Sequence, residues 1–473
     1  MIPLTSSQLT TEPRIITRQN PATGDVVSRE IAHDLAESLR FVSHAAAAFP
    51  AWSALAVDAR ADHLRALADR LIADGDALCH AMCEEIGAPQ KWAAHNVTFA
   101  ARLLYGVADQ AGALRHPETL TAENDIISEA HRVPCGVCLG IAPWNAPVIL
   151  GIRAIAAPLL CGNTVLLKGN EIAPRTFRLI GDAVVGAGFP QDVVQVFLCP
   201  QDDSERIVDA LIEHPVVRRV NFTGSTRIGR RIAALCAKHL KRPLLELGGQ
   251  APMVVLDDAD LDLAASEAVQ GAYLNQGQIC MSTERLIVQT DVADALIQKI
   301  EKLRDALVVG DPIDAATDIG PVIGVGAAER LSGLLGDAVS KGARLVGGGG
   351  MRGAYFHPTL LDGVEADMRL YTEETFGPIL SVTRVATDQE AVTVANDSDY
   401  GLAASVFSGN PMRADQIASQ IHTGICHINR CTVDDDPLAP FGGVKASGYG
   451  RFGGRWALDE FTELRWITKR KTP

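Results

Sequence analysis

The sequence predicts an α/β protein of two closely packed domains, each built on a parallel sheet covered by helices. Three observations predict it. The chain has 473 residues, more than one small core can organise, so at least two domains share its interior. Short apolar runs rich in Val, Ile and Leu alternate with helical stretches beyond about residue 133, the rhythm of strand-helix crossover units. No internal repeat and no low-complexity linker breaks that rhythm, so the two units are expected to pack intimately.

Taken in order, the elements follow from local pattern. The start, MIPLTSSQLTTEPRIITRQNP, lacks the apolar core of a secretory signal, so export is not expected. From about Leu35 to Gly112 apolar residues recur three and four apart in an alanine-rich context, which predicts helices. Residues Val133 to Ile152 carry no charge for 20 positions, but Pro134, Pro143, Asn145 and Pro147 argue against a continuous membrane helix there. GVCLGIAP, TVLLK, VVQVFL, VVRRVNFT and APMVVL read as buried strands, and a second alternating stretch covers about Ala251 to Val444.

Bulk charge narrows the function. A net charge of -14 disfavours nucleic acid and acidic membranes as partners, and the one basic run, Lys469 to Lys471, reads as a solvated terminus. The 10 cysteines are spread too widely for a disulfide framework and suit a reducing cytoplasm. Cys135 and Cys138 spell a CxxC, but in a strand-like setting positions three apart face opposite ways. Asp258, Asp260 and Asp262 imitate a calcium loop without its glycine or its final glutamate, and read as a turn and helix cap. The 12 histidines form no HExxH or Cys/His cluster, so no metal is expected.

Two stretches could hold a nucleotide. VVRRVNFT followed by GSTRIGRRIAALCAKHL reads strand, turn, helix, with Gly224 and Gly229 bracketing a turn whose first helical amides could face a phosphate. The spacing G-x-x-x-x-G is by itself weak, because many such turns merely connect elements. TVLLKGNE ends a strand with Lys168 and then Glu171, at the edge where open parallel sheets bind ligands. A carboxylate there can accept from ribose hydroxyls and would repel a 2'-phosphate, which favours NAD over NADP. A third stretch, NQGQIC, places Cys280 where a helical run gives way to a strand, which suits a nucleophile or a packing residue.

APWN at 142 to 145, LLELGG at 244 to 249, NQGQIC at 275 to 280, EETFGP at 373 to 378 and PFGGVKASGYGRFGG at 440 to 454 occur together in that order. With them the chain, from roughly Asn20 to Thr468, resembles the NAD(P)-dependent aldehyde dehydrogenase superfamily. The resemblance implies two Rossmann-like domains, NAD-binding at 1–115 and 133–246 and catalytic at 247–457. It adds a small β oligomerisation arm at 116–132 and 458–473, and hence a homodimer or homotetramer. It makes Cys280 the nucleophile, Glu246 the general base and Asn145 an oxyanion donor beside the Cys280 amide. A glutamate at 246 implies hydrolysis of the thioester, since the CoA-acylating relatives lack it.

For the cofactor the resemblance implies Lys168 and Glu171 at the adenosine ribose, and Trp144, Gly224, Ser225, Gly229 and Leu247 around the pyrophosphate turn. Glu374 and Phe376 fall at the nicotinamide ribose. For the substrate it implies Ala146, Leu150 and Arg153 on one face of the helix after APWN, with Ile279, Asp435 and Phe441 completing a tunnel. Small Ala146 and cationic Arg153 leave room for a flat ring and a donor for an oxygen substituent, as in the aromatic-aldehyde branch. Arg153 could instead pair with Asp435.

Two departures stand out: Gln250 where ELGGK is usual, and Arg430, Cys431 and Asp434 in a loop that borders the substrate mouth. A bulky terpenoid or aliphatic aldehyde is the alternative substrate. A thiol hydrolase or a noncatalytic NAD-binding protein are alternatives of another class.

Overall fold

The computed structural model describes residues 14–123 and 125–470. The first 13 residues, and Lys471 with the two residues after it, lie outside the described residues.

Two parallel sheets carry the molecule. The first runs Gly448–Tyr449, Arg242–Glu246, Val217–Thr223, Val137–Ile141, Thr164–Lys168, Val194–Phe197 in spatial order, and only its first pair is antiparallel. The second runs Arg344–Gly347, Thr359–Asp362, Ile379–Val385, Thr283–Gln289, Ala251–Val255, Ala403–Phe407, Ile425–Ile428, again with only its first pair antiparallel.

The apolar runs form the central strands because those strands are covered on both faces. In the first sheet Val137, Leu139 and Leu166 pack into one core while Cys138, Val165 and Leu167 pack into the other. In the second sheet Met253, Val255, Leu286 and Val288 face one core and Val254 and Ile287 the opposite one.

The alanine-rich N-terminal region is four helices: Leu35–Ala54, Val57–Ala73, Gly75–Ile86 and Gln90–Ala108. The first starts at a capping box, in which Glu37 N–H donates to Asp34 at 2.8 Å and Asp34 N–H donates to Glu37 at 3.0 Å. Asp260 caps the helix Leu261–Tyr273 in the same manner, accepting from the amides of Asp262 and Leu263.

A third, antiparallel sheet of Thr462–Arg470, Ile126–Pro134 and Glu118–Glu123 stands apart from the two domains' sheets. Leu464 and Trp466 on its outer strand are 67% and 73% exposed.

Two readings need correction, and one element was not foreseen. Cys135 is not in a strand: it begins a turn with Gly136 at φ +127, while Cys138 lies inside Val137–Ile141, and all ten cysteines are free. Ala146 is the N-cap of the helix Pro147–Leu160 rather than a residue within it. An exposed hairpin of Arg14–Gln19 with Val26–Ala32 precedes the helices, in a stretch whose sequence gave no strand signal. Among the described residues no helix is long and apolar enough to cross a membrane.

Candidate active site

Strand ends of the first sheet and the turn that enters the second converge on one cleft of about 330 Å³. It is lined by Trp144, Asn145, Leu150, Gly224, Ser225, Glu246, Leu247, Cys280, Glu374 and Phe376, all singled out from the sequence, and also by Pro143, Thr223, Gly248 and Arg330.

Asn145 lies between the strand Val137–Ile141 and the helix that Pro147 opens, a first-turn place where proline loses no hydrogen bond. It is held from three directions. Its Nδ2 donates to the Gln278 carbonyl at 2.9 Å, and its own carbonyl accepts from Trp92 Nε1 at 3.1 Å and Asn275 Nδ2 at 3.2 Å. One Nδ2 hydrogen is thereby used and the other remains for a ligand.

Cys280 follows a turn in which Asn275, Gln276 and Gly277 all take left-handed φ, of 49, 56 and 67. That reversal carries the chain from the helix Leu261–Tyr273 to the strand Thr283–Gln289 and leaves the Cys280 side chain half-buried at the cleft. A Cβ on Gly277 would meet the Gly377 carbonyl at 2.2 Å, so only glycine fits there.

Glu246 is not on a surface turn. It ends the strand Arg242–Glu246, is 1% exposed, and its Oε1 has no hydrogen-bond partner. Burial pushes its carboxyl up to about 7, with the adjacent Cys280 thiol and then Arg153 pulling it back. Burial and the neighbouring Glu246 carboxylate push the Cys280 thiol well above its ordinary value. The pair therefore rests with the proton on sulfur and a carboxyl poised near neutrality.

At the other end of the cleft Ser225 caps the helix Thr226–Lys238 without a side-chain cap bond, which leaves its hydroxyl and the first helical amides for an anion. A Cβ at Gly229 would lie 2.3 Å from Leu247, and one at Gly248 would lie 2.6 Å from Glu374 Oε2, so the floor of the cleft is closed tightly around backbone. Glu374 Oε1 accepts from Gly249 N–H at 2.9 Å, and the Phe376 ring meets Trp144 edge-on at 5.9 Å. Helix amides, a free hydroxyl and a carboxylate along one groove fit a dinucleotide.

Lys168 and Glu171 do not line this cleft. They stand one strand over, at the end of Thr164–Lys168, in a 3.1 Å ion pair with each other.

The substrate-side residues divide. Leu150 lines the cleft, while Ala146 and Ile279 are buried in the core beside it. Arg153 is 5% exposed, forms an ion pair with Asp435, and lies over the Phe441 ring at 4.2 Å from its centroid. Its pairing with Asp435, rather than a free donor facing the cleft, is what the structure shows. Phe441 and Asp435 also line a separate cavity of about 450 Å³ with Arg102, His427, Arg430 and Asp434. Among the described residues no group of three or more His, Cys, Asp or Glu could hold a metal ion.

Sequence reasoning missed Arg330, Trp92 and Glu284. The one signal for Glu284 was a charged Glu284–Arg285 pair inside the strand TERLIVQ, all of whose residues are buried.

The sequence pattern of the aldehyde dehydrogenase family matches residues 9–467. A vanillin dehydrogenase of Pseudomonas fluorescens is 48% identical over 460 residues, covering 97% of this chain and 95% of its own. A salicylaldehyde dehydrogenase of Pseudomonas putida is 43% identical over 452 residues, covering 95% and 94%. The crystal structure of a salicylaldehyde dehydrogenase from Pseudomonas putida G7 complexed with salicylaldehyde is similar with a TM-score of 0.95 at 42% identity, over 97% of this chain and 95% of that one.

Proposed function

The chain belongs to the aldehyde dehydrogenase family, whose members use NAD(P), and on that premise we propose that it oxidises an aromatic aldehyde to the carboxylic acid with NAD, through a covalent intermediate on Cys280. The observation that carries the reading is the meeting of the Cys280 thiol, the unpartnered Glu246 carboxyl and the Asn145 amide in one cleft.

In this reading Cys280 sulfur adds to the aldehyde carbon as its proton leaves to Glu246 or to solvent. The oxyanion is met by the second Asn145 Nδ2 hydrogen and the Cys280 amide. The cofactor, when bound, supplies the hydride acceptor. Loss of hydride leaves a thioester on Cys280; Glu246 as the anion then takes a proton from water as that water attacks the carbonyl, and collapse of the adduct breaks the C–S bond, freeing the carboxylic acid and returning the Cys280 thiolate, which regains a proton. Ser225 and the start of its helix hold the pyrophosphate, and Glu374 the nicotinamide ribose. Glu171, outside the cleft and paired with Lys168, would accept from ribose hydroxyls, which supports NAD as the cofactor.

An aromatic substrate is supported by the named activities of the two curated relatives and by apolar Leu150 in the cleft wall. Assembly as a homodimer or homotetramer through the third sheet is supported by its exposed Leu464 and Trp466, and a cytoplasmic setting by ten free cysteines.

The test is a panel of aromatic, terpenoid and aliphatic aldehydes assayed with NAD and NADP in parallel by reduced-nicotinamide absorbance. Aromatic aldehydes with NAD are expected to give the highest kcat/KM. A preference for aliphatic or terpenoid aldehydes sinks the substrate assignment, and no oxidation of any aldehyde sinks the activity.

A further inference from the structure

The loop Glu373–Phe376 brings Glu374 and Phe376 to the cleft, and its backbone is held from three sides. Gln250, the residue that departs from the family's lysine, donates Nε2 to the carbonyls of Leu370, Tyr371 and Glu373 at 3.2, 3.0 and 3.3 Å, and its Oε1 accepts from Ser398 at 3.0 Å. Arg330 donates to the carbonyls of Glu374 and Thr375. Glu284 takes the amides: its two carboxylate oxygens accept from Thr375 N–H at 2.7 Å and Phe376 N–H at 2.8 Å.

Glu284 is 3% exposed and stands on the strand that begins just after Cys280. No cation is bonded to it among the described residues. A buried carboxylate without a counter-charge is costly, and its two amide partners are what repays it. Burial and then the nearby Glu374 carboxylate push the Glu284 carboxyl up, while the two amides oppose them and favour the anion. Successive amides converge on one anion only where the chain turns sharply, and Phe376 supplies the turn with φ +43. A phenylalanine in that region is strained unless its surroundings impose it.

We propose that Glu284 is a positioning residue for hydride transfer: by clamping the amides of Thr375 and Phe376 it fixes the loop conformation in which Glu374 and Phe376 face Trp144 across the cofactor cleft. The proposal rests on the dehydrogenase reading above. Glu284 touches neither Cys280 nor Glu246 through any hydrogen bond, so the nucleophile and base stay intact without it. Replacing Glu284 therefore separates cofactor-dependent chemistry from acyl-enzyme chemistry.

Glu284→Gln keeps the length and one acceptor but turns an NH2 against the second amide. Glu284→Asp keeps the charge and shortens the reach by one methylene. For each variant three quantities are read: the Kd of NAD from quenching of tryptophan fluorescence, the hydrolysis of p-nitrophenyl acetate without nucleotide, and the isotope effect with a deuterated aldehyde.

We expect Glu284→Gln to raise the Kd of NAD about tenfold and to lower kcat by a similar factor, the size of one lost bond to a charged group. A deuterium isotope effect should appear, and ester hydrolysis should stay near wild type. Glu284→Asp should show the same signature in smaller measure, and it decides the matter should the glutamine variant fail to fold.

A folded variant of either kind with unchanged Kd and no isotope effect overturns the role, as does parallel loss of ester hydrolysis. Wild type that binds no nucleotide overturns the dehydrogenase reading beneath it, whereas wild type that binds while the variants bind equally overturns only the role of Glu284.

Discussion

Glu246 has an orphaned oxygen in a closed site, and its raised carboxyl sets the pH response of the proposed reaction. Water activation needs the anion. The anion is complete well above pH 7 and falls about tenfold per unit well below it. The hydrolytic rate should therefore rise with pH through about 7 and then level, and in Glu246→Gln that limb should vanish together with most turnover; a kcat profile across this range checks both. Asn145→Ala removes a donor aimed at developing charge, and should lower kcat by about 10² to 10³ with little change in aldehyde KM, as steady-state kinetics would show. Arg153 belongs to a different calculation. It and Asp435 form a buried pair, and breaking one side leaves an uncompensated charge. Arg153→Leu should cost about 3 to 5 kcal/mol in denaturant unfolding, and the double variant with Asp435→Leu much less.

The turn Asn275–Gly277 is the element on which the site depends, because three successive left-handed residues are what bring Cys280 to the cleft. Gly277→Ala should lose about 1 to 2 kcal/mol from backbone conformation alone, and more from the collision with Gly377, read as a fall in Tm together with lost activity. Much at this scale could be read from residues. TVLLK announced itself because a strand covered on both faces is almost continuously apolar, whereas VVRRVNFT, with two arginines, was marked by the glycine turn and helix that follow it. The hairpin Arg14–Gln19 with Val26–Ala32 did not, since it is largely exposed and alternates polar residues with few apolar ones. Arg242–Glu246 escaped because two charges and a proline take up three of its five positions. Cys280, Asn145 and Glu246 were found through short local motifs. Glu284, Arg330 and Trp92 were not, because each acts on backbone that is remote in sequence, and only the folded chain brings the two together.

For the whole molecule, the third sheet leaves Leu464 and Trp466 in water two residues apart on one edge strand, an apolar pair that a second copy would cover. Under the proposed assembly, wild type should sediment as a dimer or tetramer and Leu464→Glu combined with Trp466→Glu as a monomer, with the cleft residues unaltered; a wild-type monomer sinks the assembly. The two main sheets are related in another way. The strand Gly448–Tyr449, which the chain reaches only after completing the second sheet, doubles back to pair with Leu245 and Glu246 at the rim of the first. During synthesis the edge of Arg242–Glu246 therefore stays bare until Gly448–Tyr449, roughly 200 residues further on, has been made. A chain cut just before Gly448 should leave the strand that carries the base unpaired and lose acyl-enzyme turnover, as p-nitrophenyl acetate hydrolysis would read.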